Sequence, residues 1–189
     1  MRDDDNQRTP LSRDRWLELA LNALSDEGKS KFSLDALIKA MPVSKGSFYW
    51  HFKNRADFLL ALIEHWDRHE TQNVIDALDA LPAKASPQDK LWELMRVIYE
   101  TQSSRHDLLI RSLTLEFPAI RAAVQAVDQK RMKTVQALFS SMGFTGDELV
   151  MRTLTFVTTT SFDRQIFSGL SGEEYERQLT LRHRFFISK

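Results

Sequence analysis

The chain has 189 residues, of which 42% are hydrophobic; 26 Lys and Arg are balanced by 26 Asp and Glu, and there is no cysteine. That length supports one well-buried domain, or a small domain joined to a larger one, and the missing cysteine excludes disulfides, cysteine-ligated zinc and a thiol nucleophile. The opening run MRDDDNQRTP is polar where a secretory signal would be apolar, and no apolar run approaches the roughly 20 residues of a membrane helix, so a soluble, cytoplasmic protein is expected.

The charge is unevenly placed. Residues 1–7 carry one Arg and three Asp and read as a disordered tail, whereas residues 8–55 carry nine Lys and Arg against five Asp and Glu. A modestly basic segment on a slightly acidic remainder is the layout of a small anion-binding module joined to a larger partner domain.

In chain order, Ser12 is a candidate N-cap for a first helix in which Trp16, Leu17, Leu19, Ala20, Ala23 and Leu24 recur at helical spacing, with Gly28 as a stop. Ser33 can cap a short second helix bearing Leu34, Leu37, Ile38 and Met41, which Pro42 breaks. Ser44 can cap a third, ending at His51 or Phe52. Asn54 and Asp57 resemble a capping box that opens a long fourth helix, with Phe58, Leu59, Leu62, Ile63 and Trp66 buried. Two short helices joined by a tight turn and braced by a first make a helix-turn-helix. Longer helices are predicted at about 88–104, 106–115, 118–141, 146–168 and 173–187, separated by Pro and Gly breaks, and nothing reads as a strand.

The third helix carries the most informative stretch, PVSKGSFYWHFKNR. Ser44, Lys45 and Ser47 lie at or near the end that would enter a major groove. Gly46 costs roughly 1 kcal/mol inside a helix, which suggests close approach of something to the backbone. Tyr49 and His51 can donate to phosphate oxygens, and Lys53 and Arg55 add charge. Phe48 and Phe52, four apart, point inward. Tyr49, Trp50 and His51 sweep about 200° of helix and cannot all face one small core. Ser33 could hold a phosphate through its hydroxyl or serve only as a cap.

The run VSKGSFYWHFKNRADFLLALI resembles the recognition helix and following helix of the tetracycline-repressor (TetR) family, with a match over about residues 8–69. The resemblance implies an all-α chain: a three-helix DNA-binding domain at 8–69, with its helix-turn-helix at about 33–52, and a helical effector-binding and dimerisation domain at 70–189. It also implies a homodimer on a pseudo-palindromic DNA operator, acting as an effector-released repressor. Ser44, Lys45 and Gly46 would face bases or nearby backbone, and Tyr49, Trp50, His51 and Arg55 would grip phosphates. The family usually has Lys where Arg55 stands and often Gly where Pro42 stands, so the turn before the third helix is expected to differ locally.

Beyond residue 70 the resemblance is one of length and helix order only. The helix at 146–168 is apolar on more than one face, so Leu154, Phe162 and Ile166, with Leu179 and Phe186 on the last helix, are candidates for a twofold interface. Trp92, Met95, Tyr99, Phe117, Phe156 and the hydroxyl run Thr158–Ser161, Thr159 foremost, could line a pocket for an apolar or aromatic effector, or could be ordinary core. His65 and His69, four apart, could share a metal with no obvious third ligand nearby. A helical-bundle metal-dependent hydrolase is therefore the alternative reading. No P-loop, G-x-S-x-G or G-x-G-x-x-G occurs, and neither enzyme activity, a cofactor nor a bound metal is expected.

Overall fold

Side-chain caps open several of the helices. A computed structural model describes residues 11–26, 33–41, 43–166 and 170–188, with the side chains of 164–166 left out. The expected tail at 1–7, Gly28, Pro42, Phe167 and the side chain of Ile166 lie outside the described residues. Every regular element among the described residues is helical. The chain divides into two units, one ending at His65 and one beginning at Trp66.

In the first unit, α1 (Arg13–Asp26) opens on Ser12, whose Oγ accepts from the Arg15 amide at 3.2 Å. Ser33 caps α2 (Leu34–Ala40) and Ser44 caps α3 (Lys45–His51), accepting from the Ala36 and Ser47 amides at 3.3 and 3.1 Å. At the start of α4 (Arg55–Asp67) the Asp57 amide donates to Asn54 Oδ1 at 2.9 Å. The returning arm of the expected capping box falls one residue early: Asp57 Oδ2 accepts from the Lys53 amide at 2.8 Å, not from that of Asn54.

These helices close over an aromatic centre. Trp16, Phe48, Phe52 and Phe58 are almost fully buried, with ring centroids 5.1 to 5.6 Å apart, largely in edge-to-face geometry. The quadrupoles of aromatic rings favour that arrangement over face-to-face stacking. Burying Phe48 and Phe52 on the inner face of α3 fixes which residues its outer face presents.

The second unit takes the end of α4 and continues through a π-helical turn, Arg68–Gln72, into α5 (Asn73–Asp79). The helical pattern of the sequence continues beyond residue 70 as far as Pro82, but does not predict the π-helical turn. The following helices are α6 (Pro87–Glu100), α7 (Asp107–Glu116), α8 (Arg121–Ser141) after a 3₁₀ turn at Pro118–Ile120, α9 (Gly146–Ile166) and α10 (Gly172–Ile187). Ser86 with Asp89 and Ser171 with Glu174 form complete capping boxes. α6 ends at Glu100 rather than near 104, because Gln102 takes a left-handed backbone, φ 55°. Phe139, Phe156 and Phe186 meet in the core at 5.2 to 6.0 Å.

Candidate nucleic-acid interface and effector pocket

The outer face of α3 is set by its inner one. With Phe48 and Phe52 buried, Tyr49 is 61% and Trp50 82% exposed. Large aromatics are seldom left so bare without a partner to meet. Residues four apart share a helix face, so Lys45 lies beside Tyr49 and Gly46 beside Trp50. A Cβ at Gly46 would meet only Ser44 Oγ, at an ordinary 3.7 Å, so internal packing does not require glycine there. Lys53 and Arg55 are exposed at the start of α4, and Ser33 and Ser44 are exposed caps.

Besides the capping serines, Lys45 and His51 of this surface are already engaged. Lys45 Nζ lies 2.8 Å from Asp35 Oδ1, on the first turn of α2. Each group steadies the other's charge: the hydrogen bond with Lys45 lowers the Asp35 carboxyl, and the hydrogen bond with Asp35 raises the Lys45 ammonium. His51 Nε2 lies 2.8 Å from the carbonyl of Leu11. A carbonyl only accepts, so Nε2 carries the proton and a neutral His51 has only an acceptor, Nδ1, to offer elsewhere. Sequence reading did not find Asp35 or the Leu11 carbonyl, since neither contact has a local signature.

The second unit contains a pocket of about 470 Å³, a figure that includes space open to solvent. Val74, Leu94, Ile98, Val135, Phe156 and Val157 make its apolar wall. Its polar lining includes Glu70, Thr71, Asp107 and Arg131. Asp107 is fully buried and accepts from Trp66 Nε1 at 3.1 Å and from Arg131 at 2.6 Å. Arg131 also donates to Thr71 Oγ1 at 2.8 Å, and its guanidinium stands 4.8 Å over the Trp66 ring. Glu70 holds the imidazole Nδ1 and the backbone amide of His106.

Residues 17–62 match the family model described as bacterial regulatory proteins, tetR family. The transcriptional regulator AcuR of Cereibacter sphaeroides is 31% identical over 136 residues, 68% of this chain and 61% of AcuR. The HTH-type transcriptional regulator AcrR of Shigella flexneri is 31% identical over 178 residues, 94% of this chain and 66% of AcrR. The chain belongs to the TetR family. It spans less than two thirds of the length of either relative. The regulatory protein TetR from Rhodobacter sphaeroides superposes with a TM-score of 0.60 at 25% identity, covering 78% of this chain and 87% of that one. The multidrug binding protein EbrR, complexed with imidazole, shares the fold at a TM-score of 0.52 and 22% identity, with 92% and 95% covered.

Of the residues named for the pocket of this TetR-family chain, Phe156 lines it, as do Thr160 and Ser161 of the Thr158–Ser161 run. Trp92 packs edge-on against His183 at 5.3 Å, Met95 is core, and Tyr99 stacks on Tyr175 at 3.8 Å. Phe117 caps the end of α7, and Thr159 Oγ1 turns back to the Thr155 carbonyl at 2.7 Å. Glu70, Asp107 and Arg131, which sequence reading missed, are charged residues on separate helical segments that only the tertiary fold brings together.

Among the residues named for a twofold interface, Leu154 is exposed and Phe162 half-buried, whereas Leu179 and Phe186 lie inside the unit's own core. Among the described residues, the large apolar side chains that α9 and α10 expose are Val150, Met151, Leu154, Leu181 and Phe185, the last 63% accessible. His65 is buried, its Nδ1 3.0 Å from Asp14 Oδ1, and His69 falls in the second unit on the π-helical turn. Among the described residues no helix is long and apolar enough to cross a membrane.

Proposed function

We propose that this chain is a DNA-binding transcriptional regulator, acting as a repressor, that grips a pseudo-palindromic operator as a homodimer and is released by a small effector. The observation that carries this reading is the outer face of α3, where two exposed aromatics stand beside a lysine and a structurally unneeded glycine. In the proposal α3 lies in a major groove, with Lys45 and Gly46 at base edges. Ser33, Ser44, Ser47, Tyr49, Trp50, Lys53 and Arg55 hold phosphates on either side. His51 serves by tying the end of α3 to the segment before α1.

The pocket supplies the control. Trp66, near the end of α4, gives its N–H to the pocket-lining Asp107. A small, mainly apolar effector with one polar group facing Arg131 and Asp107 would shift that contact, and α4 carries the shift along the chain toward the DNA-reading helices. The effector acts only to the extent that it binds the two arrangements differently. Dimerisation uses the apolar face of Val150 and Leu154 on α9 with Leu181 and Phe185 on α10.

Selection of bound sequences from a random duplex library, followed by salt titration on the winner, tests the reading. A twofold-symmetric motif with half-sites roughly 34 Å apart and a steep negative salt slope is the expected result. Failure to enrich any sequence would overturn it.

A further inference from the structure

An acid beside a DNA-reading lysine needs a reason, because it weakens the attraction for phosphate that such a surface depends on. Asp35 stands on the first turn of α2, two residues after the Ser33 cap, and reaches across to Lys45 at the start of α3. Both side chains are mostly exposed, so the pair has no burial to satisfy and contributes little to folding. What it does fix is the position of a flexible four-carbon side chain.

We infer that Asp35 is a positioning residue for sequence reading: it holds the Lys45 ammonium toward base edges and away from the phosphate backbone. This rests on the DNA-binding reading above. A lysine ammonium has three N–H donors, and one engaged by Asp35 leaves two for base acceptors such as guanine O6 and N7. Unrestrained, the same ammonium swings to the nearest phosphate, which every sequence offers equally. The Asp35 carboxylate also repels phosphates on that side, so non-specific complexes are disfavoured while a base contact is kept.

The test compares wild type, Asp35→Asn and Lys45→Ala in library selection, with salt titrations on the selected and on a random duplex. Asp35→Asn is expected to tighten random-duplex binding roughly two- to fivefold, the scale of one exposed ion pair. It is also expected to steepen the random-duplex salt slope by about 0.9, one further phosphate neutralised. Base preference should relax at the same one or two positions that Lys45→Ala relaxes. In a Lys45→Ala background, Asp35→Asn should change base preference no further. Asp35→Ser should reproduce the Asn result, which guards against an effect peculiar to the amide. Equal tightening on all duplexes with base preference intact, or relaxation at positions other than those of Lys45, would overturn the inference and leave the DNA-binding reading standing. If wild type enriches no sequence, both fall.

Discussion

Trp66 donates its indole N–H to Asp107 Oδ1 across 3.1 Å, while Arg131 takes the other oxygen of that carboxylate at 2.6 Å. The carboxylate is fully buried, so its charge is sustained by these donors alone among the contacts described. Asp107→Ala strands the Arg131 guanidinium and should destabilise the second unit by about 3–5 kcal/mol in urea unfolding. Trp66→Phe removes one donor and should cost less, about 1–3 kcal/mol. A cost below about 1 kcal/mol for Asp107→Ala would mean the network contributes nothing to stability.

Adjacent residues on α3 should behave oppositely in folding. Phe48 is fully buried among Trp16, Phe52 and Phe58, so Phe48→Ala should cost about 3–5 kcal/mol. Tyr49 and Trp50 are exposed, and alanine at either should leave the unfolding midpoint within about 0.5 kcal/mol of wild type. Parallel denaturation curves settle the contrast.

How much of this was legible beforehand depends on range. Ser12, Ser33, Ser44 and Asn54 were readable as caps because a cap is bonded to an amide three residues on, a separation the sequence displays. Phe48 and Phe52 were readable as core from their spacing of four. The Lys45–Asp35 pair, the His51–Leu11 bond and the Asp107–Arg131 pair join separate elements, and nothing local marks either partner. On α10 the difficulty was phase: Phe185 and Phe186 are neighbours of one type, yet one is exposed and the other buried. Composition cannot separate them, and only packing of the helix sets its rotation.

For DNA binding, Tyr49→Phe should weaken every duplex about equally, roughly tenfold if one charge-assisted hydrogen bond is lost. The salt slope should not change, since the hydroxyl carries no charge. A change in the selected motif would instead mean that Tyr49 reads bases.

Alkaline pH should act through Tyr175. Its phenol is pushed from the usual 10.0 to about 12, first by burial and then by its hydrogen bond to Asp163, with Arg182 opposing. The unfolded chain loses this proton near pH 10 while the folded chain keeps it, so the folded state binds more protons in between. Stability from this group is fully present below pH 10 and falls as the pH rises to about 12. In Tyr175→Phe that part of the pH dependence should vanish, which thermal melts across the window would detect.

Phe185→Glu places a charge on an exposed apolar position of α10. Sedimentation velocity should show wild type as a dimer and the variant as a folded monomer with far-UV circular dichroism unchanged. A wild-type monomer at tens of micromolar would remove the proposed interface.

The unobstructed space at Gly46 has one more consequence. A methyl there touches only Ser44 Oγ at a comfortable distance, while alanine favours a helix over glycine by roughly 1 kcal/mol. Gly46→Ala is therefore a substitution that makes the protein sturdier and, if a DNA backbone or base edge must come close at that point, blunter. At Gly46 the chain keeps a residue that its own packing does not require.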